Sequence, residues 1–576
     1  MSEVIIGIDL GTTNSEVAVA REGRIEVIQV DGSRLLPSVV GLADDGALLV
    51  GESARNQYTL HPERTVKSIK RRMGEPEKVT LGGREFSPQE ISALILGRLK
   101  RAAETHLGQP MGKAVITVPA YFSDAQRQAT RDAGELAGLD VVRIINEPTA
   151  AALAYEGEHR QRKNVLVYDL GGGTFDVSVV RVEQDVVEVL ASHGNNQLGG
   201  DDFDAKILEH LVDWLKRERG ADPTQDRRAM ARLVRAAETA KIRLSDAPFA
   251  RVDEEYLLER EGNPVHLSLE LDRLDFEAMI EPYVAETLEA VHIALDGAGL
   301  TVSDLDEVLL VGGSTRTPLI QRRLEATLGL QPRGELDPEL CVATGAAIQA
   351  AVIGGERVSS MLLDVTPYTF GTNAIALLNG EFYPYTYVPL IRKNTPIPVT
   401  RSEAFQTFHD GQTAIDVNVY QGEDPDALNN TVIGSYRVEG LSDVPAGNTI
   451  VTTFSLDIDG ILHVSSVEKS TGLEKRITIE NATARFEREE MDAARERVRA
   501  LVEGDAAGAG GSSRETVKAQ ALIEKAERLL ESAGPEDVED LVNGIESVRD
   551  ALAAQDVDAL EQATADLSDL IFFLET

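Results

Sequence analysis

Cysteine is almost absent. Cys341 is the only one in 576 residues, so an intramolecular disulfide is excluded and a thiolate metal site has no second ligand. Its ordinary reading is a small buried hydrophobe. Basic residues are short of acidic ones, 57 against 96, and the formal net charge of −39 disfavours unaided binding to phosphate backbones or anionic membranes. No apolar run approaches the ~20 residues needed to span a bilayer. A basic segment leading into an apolar stretch is also missing at the amino terminus, where Ile5, Ile6, Gly7, Ile8 and Asp9 read as a strand. These absences predict a cytoplasmic protein with neither a nucleic-acid nor a membrane partner.

Hydrophobic content of 42% and charged content of 27% are ordinary for globular protein, so most of the chain is expected to bury real cores. At roughly 100 to 200 residues per domain the length predicts about three to five units.

The most informative feature is a duplication. Ile6-Gly-Ile-Asp-Leu-Gly-Thr-Thr-Asn14 precedes the apolar alternation Val17, Val19, and Val165-Leu-Val-Tyr-Asp-Leu-Gly-Gly-Gly-Thr174 precedes Val177, Val179. Each segment reads as a buried strand ending in Asp-Leu-Gly, a Gly and Thr turn, and a second strand of period two. Glycine at Gly11, Gly171, Gly172 and Gly173 allows backbone N–H groups to turn inward around an anion. Two such loops facing each other would clamp a nucleotide's phosphates. Asp9 and Asp169, at the strand ends, are placed to hold Mg²⁺ through its water shell, because that ion keeps most of its waters. Thr13 and Thr174 offer hydroxyls beside a terminal phosphate. No Gly-x-x-x-x-Gly-Lys-[Ser/Thr] or Gly-x-Gly-x-x-Gly stands at these turns, which disfavours P-loop and dinucleotide folds. The duplicated, lobed nucleotide fold of actin, sugar kinases and heat-shock chaperones remains.

Five segments select among these. Ile8-Asp-Leu-Gly-Thr-Thr-Asn-Ser15, Val118-Pro-Ala-Tyr-Phe122, Ile145-Asn-Glu-Pro-Thr-Ala-Ala-Ala152, Asp169-Leu-Gly-Gly-Gly-Thr-Phe-Asp176 and Leu310-Val-Gly-Gly-Ser-Thr-Arg316 resemble the DnaK-type seventy-kilodalton heat-shock chaperones, in that family's order. The resemblance implies an ATPase using ATP/ADP and Mg²⁺, with Lys70 reaching the γ-phosphate and Glu147 supporting the metal or its water. It implies that Gly200 contacts phosphate and places Thr12, Asn14 and Gly312 among the nucleotide-binding residues. Glu238, Lys241, Ser245, Gly313, Ser314 and Arg316 would surround ribose and adenine, with Ile242 where some relatives carry an arginine.

Past Gly355 the chain continues into a different kind of domain, which separates this sequence from small-molecule kinases. Met361-Leu-Leu-Asp-Val-Thr-Pro367 resembles the family's interdomain linker. From Thr366 to Glu480 the pattern is all-β: Ile415, Val417 and Val419 alternate with polar residues, as do Phe454, Leu456 and Ile458, and Asp459-Gly460 supplies a tight turn before Ile461. A β-sandwich follows. By resemblance it would hold an extended peptide at Phe370, Thr372, Phe405, Phe408, Ile415, Val417 and Ile461. The segment Glu381-Phe-Tyr-Pro-Tyr-Thr-Tyr387 makes one loop longer than the resemblance predicts, as either a bulky arch over the peptide or a longer hairpin packed on the sandwich edge. After Ala482 the chain reads as a helical lid interrupted by Gly504-Asp-Ala-Ala-Gly-Ala-Gly-Gly-Ser-Ser513, a flexible run. Helical stripes follow at Leu522, Ile523, Ala526, Leu529 and Leu530, and at Val538, Leu541, Val542, Ile545, Val548 and Leu552. A third comprises Leu560, Ala563, Leu567, Leu570 and Leu574.

The expected organisation is therefore an actin-like α/β domain over 1–357, a linker over 358–366, a β-sandwich over 367–481 and a lid over 482–576. The resemblance further implies that Pro119, Arg127, Arg143, Leu362, Leu363 and Asp364 carry signals between the domains. The expected partners are unfolded polypeptide clients, a J-domain cochaperone and a GrpE-like exchange factor. An exchange factor without hydrolysis, or a filament-forming or kinase member, is the rival reading.

Overall fold

A computed structural model describes residues 4–21, 23–156, 162–183, 186–333, 337–356, 361–378, 381–479 and 488–508. It also describes 519, 522–523, 525–526, 529, 535–554 and 557–575. The first lobe is built on strands β1 (Ile6–Asp9), β2 (Asn14–Arg21), β3 (Arg24–Val27), β4 (Lys113–Val118) and β5 (Asp140–Asn146), in the order β5-β4-β1-β2-β3. The second uses β6 (Lys163–Leu170), β7 (Phe175–Glu183), β8 (Val186–Asn195) and β9 (Glu307–Val311), in the order β9-β6-β7-β8. In each lobe one parallel neighbour, β4 or β9, flanks an antiparallel run of three strands. The duplication read from the two Asp-Leu-Gly segments is thus a duplication of sheet topology.

β1 is buried throughout and β6 from Val165 to Leu170, as runs of Val, Ile and Leu covered on both faces should be. Helices α1 (Pro88–Leu107), α2 (Asp124–Leu136) and α3 (Glu147–Glu156) belong to the first half. The first two begin at serine N-caps whose Oγ accepts an amide N–H while Glu90 or Gln126 reaches back, so the chain turns into helix where local chemistry directs it. Helices α4 (Gly200–Trp214), α5 (Arg227–Asp246) and α6 (Arg273–Ala298) cover the second lobe around Tyr168, Phe175, Phe203 and Phe276. Helix α7 (Cys341–Ile353) lies between the lobes, so close to β1 that a Cβ at Gly7 would stand 2.2 Å from the Ala347 nitrogen. Cys341 is buried in the core there.

The linker residues form β10 (Met361–Val365). It pairs in parallel with β8, through Val186↔Met361 and Glu188↔Leu363, and so extends the second lobe's sheet. The sandwich follows as β11 (Phe370–Leu378), β12 (Glu381–Ile391), β13 (Pro396–Ile397), β14 (Val399–Gln406), β15 (Ala414–Gln421), β16 (Thr431–Glu439), β17 (Thr449–Leu456), β18 (Leu462–Glu468) and β19 (Glu474–Ile479). Its four-stranded sheets run β12-β11-β15-β16 and β14-β17-β18-β19, over a core of Phe370, Val419, Phe454, Leu456 and Val464. One expectation fails: Phe454 and Leu456 point inward, but Ile458 lies past the strand end and is 45% exposed.

Helix α8 (Arg488–Gly508) packs Ala494, Val498 and Leu501 into the first lobe's core. It runs on to Gly508, so the helix continues through Gly504, where the sequence reading began the flexible run. The remainder of that run lies outside the described residues, as do Leu530 and the side chains of Val538 and Leu574. Helices α9 (Pro535–Ala554) and α10 (Val557–Glu575) pack Leu541, Ile545, Val548, Leu560 and Leu567 with Ile523 and Ala526.

Candidate functional site

The two Gly and Thr turns face each other across the cleft. A Cβ on Gly172 would stand 1.8 Å from Thr13 Oγ1, and one on Gly173 would stand 2.6 Å from Thr12 Cγ2, so both glycines are required by the approach of the opposite loop. The first turn is braced by serines: Gly11 N–H donates to Ser15 Oγ at 3.2 Å, and Ser38 Oγ donates to the Gly11 carbonyl at 2.8 Å. The second is held by Gly200 N–H and Ser314 Oγ, which donate to the Gly171 carbonyl at 3.0 and 2.8 Å. Ser68 to Asp201 and Arg71 to Asp202, both at 2.7 Å, tie the walls together, with Arg55 3.6 Å from Glu238.

Between the turns lies a cavity of about 420 Å³. Its wall includes Asp9, Gly11, Thr12, Thr13, Asn14, Lys70, Glu147, Asp169, Gly171, Gly172 and Thr174 from the phosphate end of the sequence reading. From the ribose and adenine end it includes Glu238, Lys241, Ser245, Gly313, Ser314 and Arg316, and Gly312 also lies on the wall. Gly173 and Gly200 do not line it. They stand just behind, Gly173 against Thr12 and Gly200 against Ser314 and Lys241. Ile242 lines the cavity at 54% exposed, opposite an Arg316 held by Asp337 at 3.3 Å and Glu339 at 3.4 Å. Lys241 is engaged with Asp204 at 2.9 Å and the Gly200 carbonyl at 3.2 Å.

Charge is unbalanced at the phosphate end. Asp9, Glu147, Asp169 and Asp176 are all buried, with Lys70 the cation among them, hydrogen-bonded to Glu147. Burial pulls the Lys70 pKa down, but Glu147 and Asp9 outweigh it and the net shift is upward. Burial pushes Glu147 up to about 8 despite Lys70, and burial with Glu147 and Asp176 pushes Asp169 well above the usual carboxylate range. Asp176 rises to about 7 through burial, although it accepts the Tyr121 N–H at 3.0 Å. Thr117 Oγ1 donates to Asp9 at 2.6 Å. Carboxylates in this excess, beside glycine-rich loops, fit a divalent cation bridging protein and phosphates through water.

At the other end of the nucleotide lobes β10 joins the halves of the molecule. Asp364 accepts from Asn146 Nδ2 at 2.9 Å and from Thr149 Oγ1 at 3.3 Å, and Arg127 donates to Asn146 Oδ1 at 2.6 Å and the Ala120 carbonyl at 3.1 Å. Leu362 packs against the core between the lobes, whereas Leu363 is 40% exposed. Pro119 opens the turn before α2, its carbonyl accepting the Phe122 N–H at 3.1 Å. The sandwich contributes Asp459, 2.7 Å from Arg131, 3.7 Å from Arg143 and accepting the Ile144 N–H at 3.2 Å.

This arrangement, paired phosphate loops in duplicated lobes wired to a sandwich, has a counterpart in sequence: the model of the Hsp70 protein family matches residues 5–78 and 76–573. The chain belongs to the Hsp70 family. Members of the Hsp70 family bind ATP or ADP with Mg²⁺, hydrolyse ATP and act as chaperones with unfolded clients and cochaperones.

The Hsp70 sandwich places the remaining residues unevenly. Phe370 is 3% exposed inside the sandwich core, and Thr372 is buried with its hydroxyl donating to the Asn418 carbonyl at 2.7 Å. Val417 is buried with Val438, Leu441 and Ile450, and Ile415 packs on that cluster. Phe405 on β14 and Ile461 before β18 are half-buried, and Phe408 is exposed. The longer loop is a β-hairpin of β11 and β12, in which Tyr387 packs against Tyr420 and Ala427 and Tyr383 donates to Asp426 at 3.1 Å. Phe382 at its tip is 75% exposed.

Reasoning from sequence missed Glu16, Arg55, Asp246 and Glu339 on the nucleotide wall and Arg131 and Asp459 at the domain junction. Only Glu16 carried a signal, an acidic residue seven positions after Asp9, as Asp176 is after Asp169. The others are surface-type residues in surface-type surroundings until the fold brings them together.

Proposed function

We propose that this Hsp70 family member is an ATP-driven chaperone in which hydrolysis between the paired loops sets how long an extended apolar segment stays in the sandwich. The observation that carries this reading is the linker: β10 is a strand of the second lobe's sheet and at the same time pairs with β13 of the sandwich, through Asp364↔Ile397. A change in lobe closure therefore acts directly on backbone pairing that reaches the peptide domain.

Within this reading, Gly11, Thr12, Thr13, Gly171 and Gly172 cradle the phosphates, with Gly173 supporting the second loop from behind, and Thr174 and Lys70 orient the terminal phosphate and attacking water. Asp9 and Asp169, supported by Glu147, would hold Mg²⁺ through water; the ion supplies charge neutralisation for the transferring phosphoryl group. Glu238, Lys241, Ser245, Gly313, Ser314 and Arg316 take the nucleoside. Asp364, Arg127 and Arg143 carry the state of the lobes to the sandwich, and the α2 and linker surface would receive a J-domain cochaperone. A GrpE-like factor would open the lobes for exchange. The expected compartment is the cytoplasm; among the described residues no helix is long and apolar enough to cross a membrane.

The decisive test pairs two measurements on the full chain: steady-state ATP hydrolysis with and without an unfolded peptide, and dissociation of a labelled peptide on adding ATP. The expected result is slow basal turnover, stimulation by peptide and faster release with ATP. Turnover without stimulation and release unaffected by ATP would leave an uncoupled ATPase instead.

A further inference from the structure

The duplication extends one residue further than the phosphate loops. In the second lobe Asp169 faces Asp176 across the β6–β7 ladder, and in the first lobe Asp9 faces Glu16 across β1–β2. Asp176 and Glu16 both stand seven residues after the strand-end aspartate, so each lobe presents an acidic pair at the same place.

The two second acids are satisfied differently. Asp176 accepts the Tyr121 N–H at 3.0 Å and faces protein. Glu16 is 2% exposed, lines the nucleotide cavity beside Asp9 and Lys70, and its Oε2 has no hydrogen-bond partner in the protein. A buried carboxylate oxygen without a donor is costly unless something outside the chain completes it. Its pairing with Asp9 across β1–β2 and its closeness to Lys70 place it beside the residues assigned to the metal.

We propose that Glu16 is a further outer-sphere partner of the divalent cation, accepting a hydrogen bond from a metal-bound water beside Asp9 and so tightening the dependence of nucleotide binding on that ion. This rests on the reading of the cavity as an ADP and ATP site. Without the ion, burial and the adjoining Asp9 hold the Glu16 pKa well above the usual carboxylate range and its Oε2 has no donor; with it, a metal-bound water supplies that donor and the ion's charge offsets the two crowded carboxylates. The residue therefore acts on the coupling between metal and nucleotide, which is reciprocal between the two ligands.

The test is calorimetric titration of ADP into the full-length protein, in Mg²⁺ and in chelator, for wild type, Glu16→Gln and Glu16→Asp. The readout is the ratio of the dissociation constant without Mg²⁺ to that with it. Loss of an outer-sphere partner commonly lowers metal affinity by roughly 10–100-fold, and a drop of that order is expected in the ratio for Glu16→Gln. Glu16→Asp, which keeps the charge, should recover much of the ratio, and it carries the same test should Glu16→Gln not fold. A ratio unchanged in the folded variants, or lowered equally by both, overturns the proposal. Absence of ADP binding by the wild type in either condition would instead remove the nucleotide reading on which it rests.

Discussion

Asp169 is held at the end of β6 by strand pairing on both sides, with Glu147, Asp176 and Asp9 as charged neighbours. Like charges this close are tolerated because the site is built for a ligand rather than for stability. Asp169→Asn should therefore separate the two: single-turnover ATP hydrolysis falls by roughly 10²–10³-fold, the range seen when one transition-state-stabilising group is removed. The nucleotide-free protein becomes more resistant to heat. Quench-flow kinetics and calorimetry without nucleotide check both halves, and an unchanged rate would remove Asp169 from the catalytic set. At this scale much of the cavity wall was legible in the sequence, because glycines beside a strand-end Asp leave a mark that repeats. Glu16 was not, because the apolar alternation Val17, Val19 that identified β2 draws attention away from its one acidic member.

Among the elements, the linker was read as an apolar segment with two equivalent leucines. In a strand they cannot be equivalent: successive side chains leave opposite faces, so Leu362 enters the core between the lobes and Leu363 is left half outside. Leu362→Asp should abolish ATP-triggered peptide release, a change of roughly 5–150-fold as typical of allosteric coupling. Leu363→Asp should have a far smaller effect. Stopped-flow dissociation of a fluorescent peptide compares them, and equal effects would mean that β10 does not dock as a strand during the cycle. The aromatic loop had two readings because composition fixes contact area, not direction. The fold uses both: Tyr383 and Tyr387 are tied to the sandwich edge, while Phe382 projects from the tip. Ile458 was misassigned because alternation continues in sequence past the point where Asp457 accepts the Asp459 and Ile461 N–H groups and turns the chain.

Across the whole molecule, the docked domains bury Asp124 at the start of α2. Both its carboxyl oxygens lack hydrogen-bond partners; the Leu462 amide of the sandwich faces it without reaching bonding geometry. Burial pushes Asp124 up to about 8, with Asp457 of the sandwich adding to the rise and Leu462 and Arg127 opposing it. A proton is thus held more tightly docked than undocked, where the carboxyl is exposed and returns toward its ordinary value. Docking is favoured fully below that ordinary value and loses this contribution as pH rises toward about 8. Interdomain energy transfer between labels on the lobes and sandwich, measured in ATP, should fall as pH is raised through that range. Asp124→Asn should flatten the profile, and a profile indifferent to Asp124→Asn would assign the pH response elsewhere. Domain order was legible from the chain, since composition changes at each boundary. The docking face was not: Arg131 and Asp459 lie 328 residues apart, and neither is distinguished within its own segment.

The shared strand has a mechanical meaning. Between lobes and sandwich β10 is pinned by three residue pairs to β8 on one side and by two to β13 on the other. A client pulled against the sandwich loads that short ladder, while the cores on either side are held by sheets of four or more strands. In the proposed chaperone, that ladder and the Asp459 contacts with Arg131 and Arg143 would yield first. Tension on a client would thus be converted into separation of the domains before either one unravels, and the linker would serve as a fuse as well as a wire.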